Sequence, residues 1–281
     1  MSIGTLYLVA TPIGNLSDFS PRARETLAAA DFLAAEDTRV THKLLTALGL
    51  PGKPMVSYYE HNRRQRGEEI LARILAGETC ALVTDAGTPA VSDPGEDLVA
   101  LCAAHGVPVL SIPGCCAAVN ALAVSGLPTG RWCFEGFLSM NKKARREHLD
   151  GLRGEKRTMI FYEAPHKLRA TLDDLRAAFG GARRIALCRE LTKLHEETLR
   201  MTLDEAAAYF AETPPRGEFV LILAGAPDEA PAETDGDRMA AALEAVQRRL
   251  DAGETLKDAV KMVSADLGVK KNALYRLALG E

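Results

Sequence analysis

The 281-residue sequence has no long apolar run, no basic leader and no cysteine pair at metal-binding spacing. Its apolar stretches are far shorter than the roughly 20 residues that span a bilayer. Met1 leads almost directly into an apolar run, without the basic start of a signal peptide. We therefore expect a cytoplasmic protein that does not contact a membrane. The six cysteines show no C-x-x-C spacing, so neither a disulfide framework nor a metal site is expected.

Several motifs of nucleotide-binding and hydrolytic proteins are also missing. The chain has no G-x-x-x-x-G-K-[ST] phosphate loop, no G-x-S-x-G elbow and no H-E-x-x-H pair. The first glycine-bearing loop, at Thr11 to Gly14, does not fit a dinucleotide fingerprint, because Pro12 has no N–H to offer a pyrophosphate. The net charge of −4 argues against a protein that coats nucleic acid through bulk attraction.

The basic residues are nevertheless unevenly distributed. One group lies around Arg63, Arg64 and Arg66, and a larger one lies between Ser139 and Arg157. The members of the larger group are Lys142, Lys143, Arg145, Arg146, Arg153, Lys156 and Arg157. Such a segment is either a solvated helix face or a contact surface for RNA phosphates, and the sequence leaves both interpretations open.

Apolar periodicity predicts two α/β halves. Short apolar runs alternate with helical stretches up to about residue 118, which is typical of a parallel sheet flanked by helices. The predicted strands lie near 5–10, 31–35, 55–58, 79–84 and 107–112, with helices over 21–30, 38–48, 63–76 and 94–105. In the second half the strands lie near 132–138, 158–163, 185–190, 198–202 and 219–224, with helices over 166–179 and 204–212. A short link between the third and fourth of these strands predicts an antiparallel hairpin, and therefore a mixed sheet.

The fold class that we predict is α/β, with two α/β domains and a small helical appendage. The parallel-sheet domain covers 1–125, the mixed-sheet domain 126–226, an acidic Pro- and Ala-rich linker 227–236, and the appendage 237–281. Three short amphipathic helices are expected in the appendage, and the last two are spaced like a helix-turn-helix. An appendage that binds another protein or a second copy of the chain fits the pattern equally well.

Three strand-to-loop transitions predict a single ligand crevice. Apolar runs that end at Ala10, Thr84 and Ile112 open into loops of Gly, Pro and small residues. The carboxyl ends of parallel strands meet at one edge of a sheet, where open α/β folds bind ligands. We therefore expect residues 85–95 and the other two loops to line one site. Asp85 either accepts a hydrogen bond from a ribose or ammonium group or caps its own loop.

A set of sequence blocks runs in order from residue 5 to about 225: Leu8–Leu16, Ala35–Arg39, Tyr59–Asn62, Asp85–Gly95, Pro113–Gly114, Ser125–Pro128, Phe134–Leu138, Phe161–Glu163 and Arg189–Lys193. In these blocks the chain resembles the tetrapyrrole methylase superfamily. Within it, the chain is similar to the bacterial enzymes that methylate a cytidine ribose 2′-oxygen in small-subunit (16S) rRNA. One departure is Cys115-Cys116, where many relatives have Pro followed by Ser or Cys.

The resemblance implies how a cofactor is held. S-adenosylmethionine would lie in the cleft between the two α/β domains of a protein that is usually a homodimer. The implied cofactor contacts are Ile13, Asp85, Thr88, Cys116, Ala117 and Tyr162. The implied partner is small-subunit rRNA, presented within the 30S particle.

Methylation of a ribose hydroxyl requires removal of a proton from a weak acid. The candidate bases or orienting groups are Glu36, Asp37, Glu60 and His61, and Arg39 offers a planar fork for a phosphate or a carboxylate. Asp37 fits a helix cap equally well. Two other functions remain open: a methylase of tetrapyrrole rings or of protein side chains on the same scaffold, and a non-catalytic module that binds RNA or the ribosome.

Overall fold

The computed structural model describes residues 2–227 and 235–280, in which two five-stranded sheets carry most of the chain. The first sheet consists of β1 (Leu6–Val9), β2 (Phe32–Ala35), β3 (Met55–Ser57), β4 (Cys80–Val83) and β5 (Val109–Ile112). Its order is β3-β2-β4-β1-β5 and every pairing is parallel, as the sequence predicts. Strands β2 and β4 are buried throughout, as expected for strands covered by helices on both faces.

Four predicted helices alternate with these strands. They are α1 (Pro21–Ala29), α2 (Thr38–Ala47), α3 (Arg63–Leu75) and α4 (Glu96–Ala104). Helix α1 begins where the Ser20 side chain accepts a hydrogen bond from the Ala23 N–H, with Pro21 at the first helical position. Helix α4 begins two residues later than predicted, since Gly95 adopts a left-handed φ of 149° that cannot continue a helix. The loop after β4 therefore extends as far as Gly95.

Helix α5 (Ala117–Val124) is not predicted by the periodicity. Its residues are almost all small or apolar, so no polar stripe marks it as a helix. Ala118, Ala121 and Leu122 are buried and pack against Ile160 and Ala186 of the second sheet. The helix thus joins the first sheet to the second.

The second sheet is mixed, as predicted. It consists of β6 (Trp132–Phe137), β7 (Thr158–Glu163), β8 (Arg184–Arg189), β9 (Glu197–Thr202) and β10 (Phe219–Leu223), in the order β6-β7-β10-β8-β9. Strands β6 and β7 are parallel and the other pairs are antiparallel, including the predicted β8–β9 hairpin. The helices of this half are α6 (Lys142–Gly151), α7 (Leu168–Phe179) and α8 (Leu203–Glu212).

The chain divides into two compact units, 1–226 and 227–281. Both sheets belong to the first unit, so the boundary between 125 and 126 stays a prediction. The second unit contains α9 (Asp235–Asp251), α10 (Leu256–Asp266) and α11 (Lys271–Leu279) around their own core. Residues 228–234 of the predicted linker lie outside the described residues, and its last two residues belong to α9. At 17 residues, α9 is longer than the short helix expected there.

Candidate functional site

A cavity of about 330 Å³ opens where β4, β1 and β5 end. The loops that follow these three strands line one side, and residues of β7, β8 and β10 line the other. Strands β4, β1 and β5 are neighbours in the sheet. The cavity therefore lies at the carboxyl ends of adjacent parallel strands, where open α/β sheets bind ligands. The structure brings all six implied cofactor contacts into the lining: Ile13, Asp85, Thr88, Cys116, Ala117 and Tyr162. Their role in holding a cofactor stays a prediction.

Hydrogen bonds hold the loops of the first sheet together. The backbones of Thr11 and Gly87 exchange two hydrogen bonds of 2.8 and 3.1 Å. The Thr11 hydroxyl donates to the carbonyl of Thr84 at 3.1 Å, and the Thr88 hydroxyl donates to the carbonyl of Cys115 at 2.9 Å. The floor of the cavity is therefore fixed before any ligand enters.

Tyr162 of β7 forms part of the opposite wall. Its hydroxyl oxygen accepts a hydrogen bond of 3.1 Å from the Ala118 N–H at the start of α5. Its ring meets the rings of Phe134 and Phe137 edge to face, with centroids 5.0 and 5.5 Å apart. Burial raises the pKa of Tyr162 to about 12, so the phenol is neutral near pH 7. This wall is aromatic and uncharged at that point.

The charges of the second wall are paired with one another. Lys193 donates from Nζ to Glu190 and to Glu218, each at 2.9 Å. The bond from Lys193 is the main reason why the pKa of Glu190 is lowered. Lys193, Glu190 and Glu218 therefore neutralise one another through ion pairs.

Carboxylates of the first wall connect the ends of β2 and β4. Glu36 Oε2 accepts from the Asp85 N–H at 3.3 Å, and Asp85 Oδ1 accepts from the Asp37 N–H at 3.2 Å. Burial raises the pKa of both Glu36 and Asp85. Repulsion from Asp85 and Asp37 adds to the rise at Glu36, and repulsion from Asp37 adds to the rise at Asp85. Among the described residues neither Glu36 nor Asp85 forms an ion pair; Arg39, which pairs with Asp37, lowers the pKa of Asp85 from a distance.

Asp37 has the geometry of a helix cap. Its Oδ1 accepts from the Arg39 N–H at 2.8 Å at the start of α2, and the Arg39 side chain grips the same carboxylate at 2.6 Å. The hydrogen bonds from Arg39 lower the pKa of Asp37 to about 2, which makes this carboxylate a poor proton acceptor. Neither residue lines the cavity.

A second, more polar cavity of about 490 Å³ adjoins the first. Glu60 and His61 line it together with Glu36, so the structure brings three of the predicted acid–base candidates to one place. Glu60 is exposed and paired with Arg63 at 3.2 Å. The His61 ring meets the Tyr59 ring edge to face at 6.3 Å.

Asp93 lies in the predicted 85–95 loop, although the sequence analysis assigns it no individual role. It is half-buried, and it lines both cavities. Burial, followed by repulsion from Glu36 and Asp85, raises its pKa to about 7. The Asp85–Gly95 block is conspicuous in the sequence, but nothing there indicates that Glu36 from a distant strand meets Asp93.

The sequence matches a known protein family over most of its length. The model of the Tetrapyrrole (Corrin/Porphyrin) Methylases matches residues 5–207. The chain belongs to the tetrapyrrole methylase family. This tetrapyrrole methylase is 46% identical over 278 residues to the Ribosomal RNA small subunit methyltransferase I of Synechocystis sp., covering 99% of this chain and 98% of that protein. It is also 46% identical over 274 residues to the protein of the same name from Halalkalibacterium halodurans, covering 98% and 94%.

A solved tetrapyrrole methylase shares the architecture. The crystal structure of uroporphyrin-III C-methyltransferase from Thermus thermophilus, complexed with S-adenyl homocysteine, matches with a TM-score of 0.52 and 20% identity. The match covers 79% of this chain and 97% of the other. At this level of identity the likeness concerns the fold.

The described residues contain neither a metal-binding cluster nor a membrane-spanning helix. No group of three or more His, Cys, Asp or Glu residues there is arranged to hold a metal ion. No helix in those ranges combines the length and the apolar character that crossing a bilayer requires. The six cysteines are free thiols.

Proposed function

We propose that this tetrapyrrole methylase transfers a methyl group from S-adenosylmethionine to the ribose 2′-hydroxyl of a cytidine in small-subunit rRNA. The observation that carries this proposal is the similarity to Ribosomal RNA small subunit methyltransferase I, which extends over 99% of the chain. The family model alone ends at residue 207. The similarity therefore includes the helical unit at the C-terminus, which the general methylase match leaves out.

The first cavity suits the proposed cofactor. Its volume of about 330 Å³ falls within the usual range for small-ligand sites. Gly114 lets the loop after β5 approach β1 closely, since a Cβ there would lie 2.8 Å from the Cβ of Ala10. Asp85 offers a carboxylate to the cofactor's ribose hydroxyls or ammonium group. Thr88 would contribute through its backbone, because its hydroxyl already binds Cys115.

The bound cofactor would supply an electrophilic methyl group on a positively charged sulfur. The Ile13, Cys116 and Ala117 positions would then align it against the floor, and alignment is a large part of catalysis for such a reactive donor. Tyr162 would close the opposite side with its neutral aromatic ring.

The second cavity favours a ribose over a tetrapyrrole ring. Its lining includes the carboxylates of Glu36, Glu60, Asp93 and Glu96. Tetrapyrrole precursors carry several carboxylates, which this lining would repel. A nucleotide can place its neutral ribose there and keep its phosphates outside.

The basic segment around α6 contains two kinds of cation. Arg145, Arg153 and Arg157 are paired with Asp174, Asp150 and Glu155, respectively. Lys142 and Arg146 are exposed and form no ion pair within residues 2–227. We propose that these two contact rRNA phosphates.

The remaining partner assignments follow from the resemblance. We propose that the chain acts as a cytoplasmic homodimer on rRNA within the 30S particle. Exposed Leu110 on the edge strand β5 and exposed Val119 on α5 are apolar groups that a second copy would cover. Light scattering of the purified protein tests the dimer, and parallel assays with naked 16S rRNA and 30S particles test the substrate form.

The decisive assay uses 30S particles from a strain that lacks the endogenous enzyme. The particles are incubated with protein and methyl-labelled S-adenosylmethionine, and the rRNA is digested to nucleosides for mass spectrometry. The proposal predicts label in 2′-O-methylcytidine. Label on a base or on a ribosomal protein would contradict it, and methylation of uroporphyrinogen would favour a tetrapyrrole methylase. RNA binding without any cofactor binding would favour a non-catalytic module.

A further inference from the structure

Three residues line both cavities: Glu36, Ser92 and Asp93. A side chain at this junction can touch a methyl acceptor in the second cavity while the donor occupies the first. Of the three, Glu36 and Asp93 can accept a proton as carboxylates. The question is which of the two is available for that step.

Strained backbone and close packing fix the turn that carries Asp93. Ala90 and Ser92 adopt left-handed φ angles of 67° and 63°, which residues other than glycine rarely adopt. Gly95 packs beneath the turn so closely that a Cβ there would lie 2.9 Å from Leu82 Cδ2. Backbone strain of this kind is typical of functional sites.

Glu36 is already occupied, whereas Asp93 is not. The Glu36 carboxylate accepts the Asp85 N–H at 3.3 Å, which stabilises its charged form and fixes its position. No backbone N–H within residues 2–227 donates to the Asp93 carboxylate. The Thr84 hydroxyl is the one group that lowers its pKa by hydrogen bonding. Because a carboxylate has two oxygens, that contact leaves Asp93 able to accept a hydrogen bond from a substrate.

The groups that face Asp93 are acidic or neutral. Glu36 and Asp85 approach from β2 and β4, Tyr162 approaches from β7, and the Thr84 hydroxyl lies beside it. His61 also lines the second cavity, and the Lys193 and Arg63 cations of the two cavities are paired with acids other than Asp93. Lys193 binds Glu190 and Glu218, and Arg63 binds Glu60 and Asp97. Burial and these neighbours give Asp93 a pKa of about 7, which matches a base that works at neutral pH.

We propose that Asp93 accepts the proton of the ribose 2′-hydroxyl during methyl transfer, an inference that rests on the function proposed above. The ribose oxygen forms a bond to the methyl carbon while the carbon–sulfur bond breaks, and the electron pair of that bond stays on sulfur. The hydroxyl proton passes to an oxygen of Asp93. One negative and one positive charge disappear together, which a half-buried site favours.

The test compares Asp93→Asn, Asp93→Glu and the unmodified protein in single-turnover assays with 30S particles and saturating cofactor. Asp93→Asn should lower the rate by about 10²- to 10⁴-fold, the usual contribution of a general base. Its cofactor affinity, measured by calorimetry, should stay close to that of the unmodified protein, because a base that acts only in the transition state does not contribute to ground-state binding. Asp93→Glu should recover part of the rate. Asp173→Asn, exposed on α7, is the matched control.

The pH profile gives a readout that a merely structural role would not change. The rate of the unmodified protein should rise as the pH increases to about 7 and then level off, and this rise should be absent in Asp93→Asn. If Asp93→Asn keeps the rise or loses less than about tenfold in rate, the proton-accepting role is refuted while the proposed function stands. If the unmodified protein puts no methyl group on ribose, both the proposed function and the proton-accepting role of Asp93 are refuted. Carbon-13 NMR of the native protein must also find an aspartate that titrates near 7 and disappears in Asp93→Glu.

Discussion

The two walls of the first cavity use their charges in opposite ways. On the first wall, Glu36, Asp85 and Asp93 lie together, none of them forms an ion pair among the described residues, and the pKa of each is raised. On the second wall, Glu190 and Glu218 share Lys193, and the pKa of Glu190 is lowered.

This difference separates reactive from structural carboxylates. An acid held with a lowered pKa beside a cation contributes to stability and resists protonation. An unpaired, partly buried acid costs stability in its charged form and is suited to bind a ligand or take a proton. Under the proposed function, the carboxylates of the first wall take part in binding and proton transfer, whereas those of the second wall hold the fold.

Asp85→Asn should produce the largest effect on cofactor binding. The asparagine keeps an oxygen for the Asp37 N–H but loses the charge that the cofactor would meet. Because a hydrogen bond to a charged group is worth about 1.5–3 kcal/mol, we expect affinity to fall about 10- to 100-fold in calorimetry. Glu218→Gln on the second wall should change affinity by about twofold or less, since that acid is exposed and engaged with Lys193. Equal losses in the two variants would abolish the distinction between the walls.

Tyr162→Phe should reduce stability rather than change the chemistry. The variant leaves the Ala118 N–H at the start of α5 without its acceptor but keeps the contacts with Phe134 and Phe137. Unfolding in urea should show a loss of about 1–3 kcal/mol, the cost of an unsatisfied buried donor. Tyr209→Phe, at a more exposed ring, is the control and should stay within about 0.5 kcal/mol. A Tyr162→Phe protein as stable as the control would show that this bond does not hold α5.

The pH dependence of stability should differ in sign between the walls. The pKa of Asp93 is higher in the folded protein than its ordinary 3.8, so its ionisation costs stability as the pH rises towards about 7. Relative to the unmodified protein, Asp93→Asn should therefore be more stable at pH 8 than at pH 4.

The pKa of Glu190 on the second wall is below its ordinary 4.5, so its contribution to stability is present above that pH and is lost as the pH falls. Glu190→Gln should be less stable than the unmodified protein at pH 8, and the difference should shrink in acid. Urea titrations across this pH range that give the same sign for both variants would contradict the comparison.

The smallest effect is expected on α6, outside the cavity. Replacing Lys142 and Arg146 with alanine should weaken binding to 30S particles about two- to tenfold and lower the salt dependence by about one to two units, because each cation displaces counterions. Cofactor affinity should not change. Arg153→Ala removes a cation that is already paired with Asp150 and should have less effect. If Arg153→Ala weakens binding more than the double variant, the paired cations are the RNA contacts.

Local patterns predicted much of the architecture. Most of the described strands are visible as short apolar runs, and five of the described helices begin at a side-chain cap such as Ser20. Strand β9 has no apolar run and was predicted as the hairpin partner of β8. Helix α5 was missed because Ala117 to Val124 contains almost no polar residue to set a period. The helix is defined by its burial against the second sheet, which is a tertiary property.

The sequence predicted which loops line the first cavity but not how their acidic side chains are arranged. The loops after β1, β4 and β5 could be placed together because parallel strands end at one edge. The sequence could not distinguish the cap role of Asp37 from a catalytic one, since Arg39 fits both. Asp93 escaped prediction because its protonation depends on Glu36 and Asp85, which only the fold brings near it.

The most direct test of the central claim is a structure of this chain with S-adenosylmethionine bound. The account predicts that the cofactor fills the first cavity, with a ribose or ammonium group against Asp85 and the methyl-bearing sulfur directed towards the junction at Asp93. A cofactor bound outside this cavity, or one whose methyl group points towards Lys193 and the second wall, would contradict it.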